Sequence, residues 1–469
     1  MTPKAATARG LWLPKRLDSD KPLYLAIADA LERDVRAGAL VAGAQVPPQR
    51  DLAAALGVNL STVTRAFSEC RRRGLIRGTV GRGTVVTADP GASMPGLPDA
   101  EPAGGLIEMG LVLPLYACEG VTVAQIHETV RARDLGRTLR YAEAAGVREH
   151  REAGASWLRE AGLRADPDNL LVTCGAQNAL ACSLLGLFKP GDRLAVEQLT
   201  YPGLMKLAIL RGVELVPVRM DDGGIQPNDL DALCRRMPIR GLFLMPEMQN
   251  PTAATLSDDR RARLAALVKR HGLVLIEDDA YGFTVPNRRP ALSARLPESS
   301  VYIAGISKAL GAGLRVSFVV APRRLIGPIE QALLATAWMA SPLGAAVVAD
   351  MVRGGGARLV VDTKRAEAHR RAALAAKLLP GRGHRIPTHG FFAWLALGEG
   401  WTGRSFELAA REVGVRVFGA ERFCVDEGAA PRYARISLTG PDDIGGLGKG
   451  LDLLAGVMDR GRPGLSPML

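Results

Sequence analysis

Lys308 stands in the run AGISKALGAGLR, directly behind the apolar segment VYIAGI. A lysine at the end of a buried strand can present its amine at a rim and condense with an aldehyde, which requires an uncharged amine and so a depressed pKa. In LVLIEDDAYG a second apolar run ends on three consecutive acids, of which Asp278 and Asp279 are each candidates to hold a protonated nitrogen. Gly175-Ala176-Gln177 follows the apolar LLVT and opens a helical pattern, so its amides can cradle a phosphate at a helix N-terminus. Near the end, RYARISL carries Arg432 and Arg435. Strand alternation puts them on opposite faces, so only one can point into a given site. GGLGKG at 445–450 reads as a loop, because Asp443 and Gly450 stand where a phosphate-binding loop needs Gly and Ser/Thr.

These residues need a scaffold, and the patterning supplies one. Apolar runs at 170–173, 193–196, 214–218, 241–245, 273–276 and 316–320 alternate with helical patterns. Continuous apolar strands between helices indicate a buried, mostly parallel sheet of an α/β domain. From about Ala340 helices dominate, with strand-like segments at 391–395 and 433–438, which suggests a smaller α+β domain.

The first 90 residues differ in kind. Leu23, Ile27, Ala30, Leu31 and Val35 repeat at helical spacing, and two further short helices surround Gly57, the last capped by Asn59 or Ser61. A Gly-rich turn between Leu75-Ile76 and Thr84-Val86 predicts a hairpin, and together these elements predict a winged helix-turn-helix. Between Gln45 and Arg82 lie seven arginines and two acids, a local basic patch suited to phosphates. Residues 88–105, rich in Pro, Gly and Ala, read as a linker.

The composition is globular, with 469 residues, 47% of them hydrophobic and 23% charged, at a net charge of +12. Six cysteines without a CxxC pair and six scattered histidines argue for reduced thiols and against a zinc site, so no metal is expected. No signal peptide and no membrane span are expected, and the chain reads as cytoplasmic.

The N-terminal segments PLYLAIADALERDVRAGAL, PPQRDLAAALGVNLSTVTRAF and RGLIRGTVGRGTVV resemble the GntR-type winged helix. That resemblance implies binding to double-stranded operator DNA. Arg50 would grip the backbone, Ser61, Thr62 and Thr64 would face the groove, Arg65 would lie along it, and Arg82 with Gly83 would form the wing tip. Leu60 stands where many members carry arginine.

From about Leu106 to Leu454 the chain resembles fold-type-I aminotransferases, which use pyridoxal 5′-phosphate. The resemblance implies a Schiff base at Lys308 and a phosphate site of Arg315, Ser307 and the amides of Gly175, Ala176 and Gln177. The D-x-A-Y spacing selects Asp278 for the ring nitrogen and Tyr281 for the phenolic oxygen, leaving Glu277 and Asp279 structural. Asn250 in QNPTA also reaches the phenolic oxygen, Tyr201 stacks on the ring, and Tyr141 reaches the phosphate of the partner subunit. Arg435 clamps a substrate carboxylate in this pattern. Ala176 and Gly305 stand where relatives carry hydroxyls, and Ala142 and Ala253 where they carry glycine.

The combination resembles MocR-type regulators. It implies a winged helix at 20–87, a linker at 88–105, a large domain at 106–340 and a small domain at 341–460. The implied function is a homodimeric, pyridoxal-phosphate-dependent transcriptional regulator sensing an amino acid or amine through Lys308. A working aminotransferase with a fused DNA-binding unit, and a cofactor-free DNA-binding dimer, are the competing expectations.

Overall fold

A computed structural model describes residues 12–14, 17, 22–36, 40, 44–72, 75–79, 83–86, 105–379, 383–426 and 430–459. The chain divides into two compact units, Met1–Gly96 and Leu97–Leu469. The first holds α1 (Leu23–Arg36), α2 (Gln49–Leu56), α3 (Leu60–Arg72), β1 (Ile76–Thr79) and β2 (Gly83–Val86). Ile27, Ala30 and Leu31 of α1 share one core with Leu52 of α2 and with Val63, Ala66, Phe67 and Cys70 of α3. Asn59 caps α3, its Oδ1 accepting from the Ser61 amide at 2.9 Å. The two strands pair antiparallel from Ile76 opposite Val86 to Thr79 opposite Gly83, which is the expected hairpin. Arg82 and residues 88–104 of the expected linker lie outside the described residues.

The second unit opens with β3 (Ile107–Glu108), α4 (Gly120–Ala132), α5 (Leu135–Thr138) and α6 (Arg148–Leu158). Alternation then sets in: β4 (Leu170–Thr173), α7 (Ala176–Leu187), β5 (Arg193–Glu197), α8 (Pro202–Arg211), β6 (Glu214–Val218) and the small hairpin β7 (Met220–Asp221) and β8 (Gly224–Ile225). It continues through α9 (Pro227–Arg236), β9 (Gly241–Leu244), α10 (Asp258–Arg270), β10 (Val274–Asp279), β11 (Ser300–Gly305) and β12 (Ser317–Val320). Three helices follow, α11 (Arg323–Thr336), α12 (Pro342–Arg353) and α13 (Gly356–Leu378). The last part comprises β13 (Phe392–Ala396), α14 (Gly403–Glu412), β14 (Val415–Arg416), β15 (Phe418–Gly419), β16 (Tyr433–Ser437) and α15 (Ile444–Asp459).

Seven strands form one sheet in the order β4-β12-β11-β10-β9-β5-β6. Only β12 runs antiparallel to its neighbours, so the sheet is mostly parallel, as the apolar runs predict. Its two faces enter separate cores. Phe243, Val274 and Ile276 pack with Ala179 and Leu180 of α7, whereas Leu242, Leu244 and Leu275 pack with Leu230 of α9 and Leu264 of α10. The period of two therefore turns Asp278 to the α7 face and Glu277 and Asp279 to the other.

The smaller sheet has the order β13-β16-β15, and β14 pairs with β3. The first strand of the unit thus packs with its last third, where Met109 shares a core with Ile436, Leu447 and Leu451. One expectation is corrected here: the 445–450 run is not a loop but the first half of α15. A Cβ on Gly450 would stand 2.5 Å from Met109 Sδ and 3.1 Å from Ile107 Cγ2, so glycine lets the helix lie directly on β3. That packing outweighs glycine's poor helix propensity. Among the described residues no helix is long and apolar enough to cross a membrane.

Candidate functional site

Lys308 lies three residues beyond β11, and its Nζ donates to the carbonyl of Val112. Burial, followed by the nearby charges of Arg435 and Lys364, pushes its amine down to about 8. Neighbouring β10 contributes Asp278, buried at 3% exposure, whose Oδ1 has no hydrogen-bond partner. Burial, with a contribution from Asp279, raises its carboxyl to about 7. The flanking acids are spoken for. Glu277 accepts from the amides of Leu292 and Ser293 at 3.1 and 2.6 Å, and Asp279 accepts from Arg288 at 2.5 Å and from Tyr302.

Tyr281 follows β10 and packs edge-on against Phe392, with ring centroids 5.1 Å apart. Burial raises its phenol, and Asp278, Tyr201 and Arg435 all act on it electrostatically. Tyr201, at the N-cap of α8, is pushed up to about 12 by burial and then by Asp278. The first turns of α7 and α8 are tied together where Gln177 Nε2 donates to the carbonyl of Gly203 at 3.2 Å. Lys308, Asp278, Tyr281, Tyr201 and Arg435 are thus drawn into one electrostatically coupled site.

Beside them lies a cradle of donors. Gly175 is the N-cap of α7 with φ of 90°, a conformation that favours glycine, and a Cβ there would stand 2.6 Å from Arg315 Nη2. The first amides of α7 lack intrahelical acceptors. Arg315 donates to the carbonyl of Cys174 at 3.0 Å and, at 3.5 Å, to Ser307 Oγ. Ala176 and Gly305 are neighbours, since a Cβ built on Gly305 would lie 3.7 Å from that of Ala176. The two places without hydroxyls therefore fall side by side.

Arg435, on β16, is buried at 6% exposure, while Arg432, one residue before the strand begins, is exposed. Its Nη1 donates to Asn250 Oδ1 and its Nη2 to the carbonyl of Gly110, and Phe392, Phe418 and Phe423 surround it. No carboxylate forms an ion pair with it among the described residues, and burial pushes it down to about 10. Asn250 is held in place by Gln249, whose side chain donates to the carbonyl of Leu199 at 2.6 Å and accepts from Thr252. Tyr141 stands apart: 82% exposed, it touches Trp338 at 5.8 Å between ring centroids.

In the first unit, Arg50, Ser61, Thr64 and Arg65 are exposed and Thr62 is half-buried. Thr64 Oγ1 donates to Gln49 Oε1 at 2.9 Å, joining α3 to α2, and Arg65 lies 4.4 Å over the ring of Tyr24. Gly83 opens β2.

Sequence reasoning missed Val112, Gly110, Gln249 and Lys364. Backbone acceptors leave no trace in side-chain type. Lys364 reads as one more cation in a basic helix, although it falls four residues after Val360 and four before Ala368, both buried.

An exposed recognition helix in one unit, and a buried lysine and carboxylate beside a phosphate-type cradle in the other, define a DNA-binding protein with an aminotransferase-like domain. Residues 23–86 match the gntR family of bacterial regulatory proteins and residues 114–444 match aminotransferase class I and II. The chain is 35% identical over 448 residues to the uncharacterized HTH-type transcriptional regulator YdeF of Bacillus subtilis (strain 168), covering 96% of this chain and 97% of that protein. It is 28% identical over 425 residues to the vitamin B6 salvage pathway transcriptional repressor PtsJ of Salmonella typhimurium, covering 89% and 94%. Among solved structures, LysN, the alpha-aminoadipate aminotransferase of Thermus thermophilus, superposes with a TM-score of 0.68 at 24% identity, over 76% of this chain and 93% of that one. The chain belongs to the GntR-type transcriptional regulators that carry a class I and II aminotransferase domain.

Pyridoxal 5′-phosphate is the cofactor of this domain, and the residues present fit it. The unpartnered Asp278 Oδ1 suits a protonated ring nitrogen, and Arg315, bonded only to neutral oxygens, faces the open amides of α7 as a phosphate requires. When bound, the group supplies an electrophilic aldehyde and an electron sink.

Proposed function

We propose that the chain is a MocR-type regulator whose DNA affinity answers to an amino acid or amine received at Lys308, and that it works as a homodimer in the cytoplasm. The observation that carries this reading is Arg435, a buried guanidinium bonded only to neutral oxygens in the same site as Lys308. A buried cation without an anion is costly, so the site favours a ligand bearing a carboxylate beside its amine.

Each residue has a task. Val112 holds the Lys308 amine, and burial keeps a sizeable fraction of it neutral and nucleophilic near pH 8. Asp278 holds a proton at the ring nitrogen, Tyr201 covers the ring face, and Tyr281 and Asn250 serve the phenolic oxygen. Ser307, Arg315 and the amides of Gly175, Ala176 and Gln177 bind the phosphate. Arg435 orients the incoming carboxylate, and its bond to Asn250 links the ligand to the cofactor side. Ser61, Thr62, Thr64 and Arg65 on α3, with Arg50, Arg82 and Gly83, engage the DNA. The exposure of Tyr141, Trp338 and Leu139 supports a second copy covering this surface, from which Tyr141 reaches the phosphate site of the partner.

The test is DNA affinity of the full-length protein for its own upstream region, with and without pyridoxal phosphate and a panel of amino acids and amines. A ligand that moves DNA affinity must favour one conformation over another. We expect at least one amino acid to do so, and binding of amino acids without any effect on DNA affinity would refute the sensing role. The complete set of Lys308, Asp278, Tyr281 and Arg435 also supports a second reading, turnover of amino acids and keto acids, which a steady-state transamination assay separates.

A further inference from the structure

We propose that Lys364 is the positioning residue of the Lys308 amine: it fixes the loop that carries this amine and places a second buried cation beside it. The inference rests on the reading that Lys308 takes up the cofactor aldehyde. Lys364 projects from α13, and its side chain has no exposure at all. Its Nζ donates to the backbone carbonyl of Lys308 at 3.3 Å and to Glu119 Oε1 at 3.2 Å. Glu119 is the N-cap residue of α4, and Thr122, in the first turn of that helix, donates from Oγ1 to the carbonyl of Leu310 at 2.8 Å. The carbonyls of residues 308 and 310 are thus held, one through Lys364 and one directly, by the same end of α4. On the other side Val112 takes the Lys308 amine itself. The loop is clamped by three elements.

A fully buried ammonium is expensive to keep, and mere loop anchoring is done as well by a neutral donor. What lysine adds is its charge. The charged groups facing Lys308 are Lys364 from α13 and Arg435 from β16, and both act with burial to favour its neutral form. Burial lowers the Lys364 amine from its ordinary value, and the groups facing it, Glu119 by charge and hydrogen bond and then Cys118, oppose that lowering and favour its charged form. A like charge close to an amine lowers its proton affinity and so favours the neutral form needed for attack on a carbonyl.

The test follows capture of pyridoxal 5′-phosphate by the full-length, cofactor-free protein, read as growth of visible absorbance across a range of pH. Lys364→Gln keeps a donor for the Lys308 carbonyl and removes the charge, whereas Lys364→Arg keeps the charge. The pH midpoint of capture is expected to rise by about half a unit in Lys364→Gln and to stay in place in Lys364→Arg. A Lys364→Gln midpoint coincident with that of the parent, at an unchanged melting temperature, overturns the proposal. Should that variant not fold, Lys364→Arg decides, since a midpoint displaced from the parent's overturns it and an unchanged one supports it. Absence of any visible band in the parent would instead sink the assignment of Lys308 itself, so the two failures are distinct.

Discussion

Arg435 Nη1 meets Asn250 Oδ1 at 2.6 Å, and its Nη2 meets the carbonyl of Gly110 at 2.5 Å, while Nε has no acceptor. With three phenylalanine rings around it, this guanidinium is desolvated without being neutralised. Hydrogen bonds to a charged group contribute about 1.5–3 kcal/mol. Arg435→Gln should therefore weaken an amino acid effector roughly 10- to 150-fold and change the affinity of an amine without a carboxylate far less. Titrations of both ligand classes against both proteins check this.

In the proposed site Asp278 links cofactor binding to pH. Its carboxyl sits near 7 in the folded protein, well above the ordinary value near 3.9, so between these values the folded state binds more protons than the unfolded one. Stability of the cofactor-free protein then falls as pH rises through this window and levels off above it. Asp278→Asn removes the effect. The cofactor-free variant should be more stable than the parent at pH 8, by about 2 kcal/mol more than at pH 5, while binding pyridoxal phosphate more weakly. Denaturant unfolding at the two pH values reads the difference.

The cradle can be strengthened. Gly305 has room for a Cβ, the nearest atom being Ala280 Cα at 3.4 Å, and it lies beside Ala176 and the open amides of α7. Gly305→Ser should add one hydrogen bond to an anionic oxygen and tighten pyridoxal phosphate about tenfold. Arg315→Ala should loosen it by at least as much. Equilibrium titration followed by visible absorbance measures both.

On the DNA side, Arg50 and Arg65 are exposed at the start of α2 and along α3. Replacing either with alanine should lower the salt dependence of operator binding by about one unit. Tyr24→Leu, which removes the ring under Arg65, should weaken binding less than Arg65→Ala does. Anisotropy titrations at several salt concentrations separate the three.

Much of the candidate site's placement was legible because its residues sit at strand ends. Apolar runs mark the parallel neighbours β10 and β11, and a polar residue at or just past the end of such a run is delivered to the sheet's edge, which is how Asp278 and Lys308 come to the same end of the sheet. Period two told only that Arg432 and Arg435 could not both face the site; the resemblance selected Arg435, and its burial agrees. Other features were beyond local patterning. The pairing of β3 with β14, the helical state of residues 445–450 and the clamp of Lys364 on the Lys308 carbonyl all depend on segments far apart in sequence. Residue type also conceals burial: nothing in the basic run around Lys364 distinguishes it from its solvated neighbours except its place on the apolar stripe of α13.

The most direct measurement mixes the full-length protein with pyridoxal 5′-phosphate, records the visible spectrum, reduces the sample with borohydride and locates the added mass by peptide mapping. A yellow protein carrying the pyridoxyl mass on Lys308, with both signals lost in Lys308→Ala, is the expected result. A spectrum that stays blank in excess cofactor, or a label on another lysine that survives in Lys308→Ala, would contradict it.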